Sequence, residues 1–143
     1  MPLHRAAMNG AARMAALLAL FAIAASGTGD VTGPRHTPKV TLLYVGAEDC
    51  APCRAWQQHD KVAFAATTTF ARLTYREVRS ATLFNVLSDE NWPEDMRGYR
   101  SLLGPDAGVP LWLVISDAQV VHRGMGSTQW NSGVLPELRK LLR

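Results

Sequence analysis

The reading of the chain turns on Val40-Thr41-Leu42-Leu43-Tyr44-Val45-Gly46-Ala47-Glu48-Asp49-Cys50-Ala51-Pro52-Cys53. Its first six residues are β-branched, aliphatic or aromatic. The run is too short for a typical helix and predicts a buried strand that Gly46 ends. Ala47-Glu48-Asp49 reads as a loop. A helix is expected to begin inside Cys50-Ala51-Pro52-Cys53, because proline's missing N–H costs little in a first helical turn. That helix is expected to continue to about Phe70, with Cys53, Trp56, Val62 and Phe64 facing inward. Thr67-Thr68-Thr69 weakens its far end.

Downstream, Leu73-Thr74-Tyr75-Arg76-Glu77-Val78 alternates with a strand period. Ser80 to Ser88 reads as either a short helix or a loop. Asn91-Trp92-Pro93-Glu94 has the form of a helix start, with Asn91 as cap and Glu94 in the capping-box position. The predicted helix runs to Leu103 and stops at Gly104-Pro105. Gly108-Val109-Pro110 then leads into Leu111-Trp112-Leu113-Val114-Ile115. A tight Asp117-Ala118 connection joins that strand to Gln119-Val120-Val121-His122-Arg123, which predicts a hairpin. After a glycine turn at Gly124 and Gly126, Ser127, Thr128 or Asn131 is expected to cap a last helix. Val134, Leu135, Leu138, Leu141 and Leu142 sit at helical spacing along it. The four tryptophans, 56, 92, 112 and 130, read as packing groups.

Upstream, Arg5 and Arg13 precede Met14–Ala25, an unbroken apolar run followed by small residues. This is the pattern of a secretory signal peptide over 1–26, with an uncleaved anchor or an ordinary buried helix as the alternatives. Residues 27–38 read as a linker and 39–143 as one domain, in keeping with 143 residues and 48% hydrophobic composition. The folded part is therefore expected in the periplasm or otherwise exported. Net charge is only +3, and the export segment carries part of it, so no basic surface asks for nucleic acid. Two cysteines are too few for a structural zinc site, and His36, His59 and His122 lack the close spacing of metal ligands. No phosphate-binding loop, serine triad or paired-carboxylate site stands out.

The strand that runs into Cys50-Ala51-Pro52-Cys53, the late Val109-Pro110 pair, and the closing hairpin, glycine turn and helix together resemble the thioredoxin-like superfamily over about Lys39 to Leu142. The resemblance implies an α/β fold. Helices would flank a central mixed sheet of about four strands, with the CxxC at the N-terminus of the first helix. Tyr44 stands where many relatives carry a buried acid, and Asp49 precedes the first cysteine where they carry tryptophan. The segment between the motif and Pro110 is also longer, and little chain precedes the first strand. A divergent exported member is the best fit.

The resemblance implies a thiol–disulfide oxidoreductase using Cys50 as nucleophile and Cys53 as resolving residue, with Ala51 and Pro52 completing the motif. Free N–H groups and the helix dipole favour a thiolate at the helix mouth. Glu48 and Asp49 oppose that thiolate, and Arg54 supports it. Pro110 is implied to be cis, bringing the Val109 backbone beside the disulfide to pair with a substrate strand. The implied partners are protein thiols and disulfides, with a membrane electron donor or acceptor as a further candidate. No cofactor and no metal are implied. Two alternatives remain: a binding scaffold that keeps its cysteines as a plain bridge, and a chaperone holding a soft ion such as Cu(I) on the two thiolates.

Overall fold

A computed structural model describes His36–Arg143. The expected 1–26 signal peptide and most of the expected linker lie outside the described residues. Strand β1 (Val40–Ala47) leads into helix α1 (Ala51–Gln58), followed by short helices α2 (Asp60–Ala65) and α3 (Thr68–Ala71). Strand β2 (Thr74–Ser80) follows, then three single 3-10 turns and helix α4 (Arg97–Arg100). Strands β3 (Leu111–Ser116) and β4 (Gln119–Met125) form a hairpin. The C-terminal segment runs through α5 (Ser127–Gln129), one π-helical turn (Trp130–Val134) and α6 (Leu135–Leu141). Among the described residues no helix is long and apolar enough to cross a membrane.

The sheet order is β2-β1-β3-β4. β1 pairs parallel with β2 and antiparallel with β3, so the sheet is mixed as expected. The central strands are apolar almost without interruption because both of their faces are covered. On one face Leu42, Tyr44, Trp112 and Val114 pack with Trp56, Phe64, Trp130, Val134 and Leu138. On the other, Leu43, Val45, Val78, Leu111 and Leu113 pack with Val86, Trp92 and Met96. All four tryptophans are buried.

Three sequence expectations need correction. The helix expected to reach Phe70 breaks at His59, whose φ of −116° and ψ of −71° lie outside helical geometry. The break resets the inward face, so Phe64 is buried while Val62 is 63% exposed, contrary to its predicted inward position. Thr67 then caps α3 by accepting the Phe70 N–H at 3.2 Å. The helix expected from Asn91 does not start there, because Pro93 holds Trp92 extended. The Asn91 amide instead donates to the Asn85 carbonyl at 2.6 Å, and Trp92 Nε1 donates to the Val86 carbonyl at 2.9 Å. A buried indole thus folds this stretch into 3-10 turns against the sheet. The last helix has no side-chain cap, since Gly126 at φ +84° turns the chain into it. Its π turn lies just before Pro136, which has no N–H to bond one turn back, and the Leu135 N–H bonds the Trp130 carbonyl across that turn.

The hairpin turn carries Asp117 at φ +48° and Ala118 at φ +67°. Aspartate tolerates that region and alanine does not, so Ala118→Gly is expected to stabilise the protein by about 1 kcal/mol in urea denaturation. Gly124 lies against the C-terminal segment, where a Cβ would run into Val134 Cγ2. Gly124→Ala should therefore destabilise by roughly 1–3 kcal/mol in the same measurement.

Candidate active site

Cys50 occupies the N-cap of α1, with extended φ and ψ of −88° and 107°. The Cys53 N–H donates to Cys50 Sγ at 3.2 Å, so this sulfur holds the place usually taken by a serine or aspartate oxygen. Pro52 lies in the first turn as expected, and the Arg54 N–H donates to the Cys50 carbonyl at 3.0 Å. The same turn brings the two cysteines to a Cα–Cα distance of 5.2 Å, and they form a disulfide. Both cysteines are buried, Cys50 at 4% and Cys53 at 1% exposure.

The Val109–Pro110 peptide is cis, as the resemblance implied. Cys50 Sγ lies 3.8 Å from the Val109 carbonyl oxygen, and Val109 packs on a small apolar patch of Ala47, Cys50 and Cys53. Pro110 is buried, and its carbonyl accepts the Gly126 N–H at 2.8 Å. The structure thus brings together Cys50, Ala51, Pro52, Cys53, Val109 and Pro110, the residues singled out in the sequence.

The two acids before Cys50 are occupied elsewhere. Glu48 forms an ion pair with Arg79, and its carbonyl accepts from Arg54 Nη1 at 2.6 Å. Asp49 accepts the Leu83 N–H at 2.8 Å. Their opposition to a Cys50 thiolate is therefore offset by partners, whereas the Cys53 N–H points at the sulfur. Neither pairing has a sequence signal, because Arg79 and Leu83 reach this loop only once β2 lies beside β1.

A cavity of about 230 Å³ opens behind Cys53, lined by Tyr44, Glu48, Arg54, Gln57 and Arg79 among others. Tyr44 is buried and its hydroxyl donates to the Cys53 carbonyl over a long 3.5 Å. Its ring stacks on Trp56 with centroids 4.5 Å apart. Gly46 leaves the space for this phenol, as a Cβ there would collide with its oxygen. Burial pushes the Tyr44 hydroxyl up to about 12, only partly countered by Gln57 and Arg79. Tyr44 is therefore a neutral donor throughout the physiological range. Among the described residues no group of three His, Cys, Asp or Glu side chains is placed to hold a metal.

No family model matches the sequence, and no curated protein matches it. Solved structures do match. A thioredoxin from Malassezia sympodialis superposes with a TM-score of 0.51 at 11% identity, over 73% of this chain and 79% of that one. Thioredoxin f from spinach chloroplast gives 0.50 at 17% identity, over 80% and 88%. Thioredoxin f2 of Chlamydomonas reinhardtii gives 0.50 at 9% identity, over 76% and 86%.

A phenol that keeps its proton longer when folded contributes stability that is complete below the ordinary tyrosine value and lost as pH climbs toward the folded one. Unfolding free energy should therefore fall from about pH 10 upward, and Tyr44→Phe should remove about 1 kcal/mol of the fall that has accrued by about pH 11. Urea titrations across about pH 9 to 11 follow it; an unchanged alkaline slope in the variant would contradict the assignment. The four-stranded mixed sheet, its flanking helices and the CxxC pair at the mouth of α1 give this chain a thioredoxin-like fold.

Proposed function

We propose that the chain is a thiol–disulfide oxidoreductase that acts on protein thiols outside the cytoplasm. The observation that carries this reading is the position of Cys50: its sulfur caps a helix, is bonded to Cys53 and stands 3.8 Å from the Val109 carbonyl. A structural bridge gains little from this position, since a loop closed over two intervening residues barely constrains the unfolded chain.

In the reducing direction the Cys50 thiolate attacks one sulfur of a substrate disulfide. A mixed disulfide forms and the substrate's other sulfur leaves as a thiolate. The Cys53 thiolate then attacks Cys50 Sγ, which forms the intramolecular disulfide and releases the second substrate thiolate. Two electrons pass from the pair to the substrate, and the released sulfurs take protons from solvent. The oxidising direction is the reverse. The Cys53 N–H stabilises charge on Cys50 whenever that sulfur is a thiolate.

Val109 and the cis Pro110 beside it form the substrate-binding backbone in this reading, pairing with an extended substrate segment as an added strand. The N-terminal 1–26 segment exports the chain, and a membrane protein supplies or accepts its electrons.

Cys53→Ser should accumulate mixed disulfides through Cys50, visible as adducts on non-reducing gels. Cys50→Ser should form none. Equal adduct formation by both variants would remove the assigned roles. The reduction potential, measured by equilibration with glutathione, gives direction: a value near about −270 mV marks a reductase and one near about −120 mV an oxidant. Failure to exchange with glutathione at all would refute the oxidoreductase reading.

A further inference from the structure

Met96 and Met125 are the methionines among the described residues, and they differ in access. Met96 is buried at 9% exposure, whereas Met125, the last residue of β4, is 46% exposed. Its thioether also has a specific partner. The Gly108 N–H donates to Met125 Sδ at 3.1 Å, and a Cβ built on Gly108 would lie 3.4 Å from the same sulfur. The following residue, Gly126, donates its N–H to the Pro110 carbonyl at 2.8 Å. Two polar contacts therefore fasten the Gly108–Pro110 segment to the end of β4, and one of them runs through sulfur. Val109, whose carbonyl approaches Cys50, lies between these two fastenings.

We propose that Met125 is an oxidative modification site through which a hydroperoxide alters protein docking at Val109. This rests on the reading of the chain as an oxidoreductase that docks substrate there. The Met125 sulfur attacks the peroxide oxygen, the O–O bond breaks and an S–O bond forms. The sulfur-bound hydroxyl gives up its proton to become the sulfoxide oxygen, and the departing oxygen takes up a proton and leaves as water from hydrogen peroxide or as an alcohol from an organic hydroperoxide. Sulfur is oxidised by two electrons and the peroxide is reduced by two. A thioether is a weak acceptor, whereas a sulfoxide is polar and its oxygen projects beyond the sulfur. The Gly108 backbone is already close to Sδ, so the N–H must shift outward to meet that oxygen. Val109, the adjacent residue, moves with it. In the disulfide form the cysteines offer no thiolate to the peroxide, so Met125 reacts while the pair is spared. Methionine sulfoxide reductases reverse the change.

The test uses the full chain in its disulfide form, treated with hydrogen peroxide and then cleared of it. Peptide mapping should show one added oxygen on Met125 ahead of Met96, and the Gly108 amide resonance should move. With dithiothreitol as electron source, KM for insulin should rise about fivefold, the effect of one weakened backbone hydrogen bond. The rate with oxidised glutathione, which needs no strand pairing, should hold. Methionine sulfoxide reductase should restore the original KM, and Met125→Leu, compared with its own untreated rate, should not respond to peroxide. An oxidised Met125 with an unmoved Gly108 amide and an unchanged KM overturns the proposal, as does oxidation of Met96 first. If the untreated chain turns over neither disulfide, the oxidoreductase reading fails and the docking control fails with it. The mass and amide readouts then judge the Met125 site alone.

Discussion

Trp56 joins the chemistry to the core. Its indole stacks on Tyr44 of β1 with centroids 4.5 Å apart and meets Trp112 of β3 at 5.3 Å and Trp130 of the π turn at 5.1 Å, both edge-on. Aromatic pairs in such geometries contribute roughly 0.5–1.5 kcal/mol each beyond the area they bury. Trp56 lies one turn after Cys53, so whatever fixes the indole fixes the first turn of α1 against the end of β1. The cap at Cys50, the disulfide and the approach to Val109 all follow from that placement. The anchor also works in the other direction. α1 is only eight residues long and breaks at His59, too short to hold its position by helical propensity alone.

Position also explains the local electrostatics. Glu48 and Asp49 look hostile to a neighbouring thiolate when only the sequence is considered. In the fold each is turned to a partner that β2 and its following loop provide, Arg79 for one and the Leu83 N–H for the other. The same contacts stiffen the loop between β1 and α1. The groups placed on Cys50 Sγ are the Cys53 N–H and the Val109 carbonyl, while the neutral phenol of Tyr44 lies at the Cys53 carbonyl.

The sheet and the cysteine motif were legible in the sequence because their signals are local. Val40–Val45, Leu111–Ile115 and the Asp117-Ala118 turn each declare themselves within a few residues. The residues brought to the motif were legible only through resemblance, since nothing near Val109 points to Cys50 without a fold to join them. The helices are less legible. The break at His59 and the extended Trp92 reflect competition between local propensity and burial of Phe64 and Trp92, which a window of sequence does not contain. Asn91 shows the limit most plainly: its capping pattern was complete, yet Pro93 and the buried indole beside it decided the backbone. Met125 gave no signal at all, because its partner Gly108 lies on the segment before β3.

The pairing of β1 also sets an order of assembly. β1 comes early in the folded part, and its parallel partner β2 is made soon after. Its other neighbour is β3, with Val40 beside Ser116 and Val45 beside Leu111. While the chain is being synthesised, one edge of β1 has no partner until most of the domain has emerged. Long-range pairings of this kind are slow to form because loop closure comes before any contact rewards it. The CxxC emerges with the first elements, but the Val109 backbone that completes its surroundings arrives only with the hairpin. A nascent chain therefore carries its two thiols for some time before it has a site, and in that interval they lack the shelter of the finished fold.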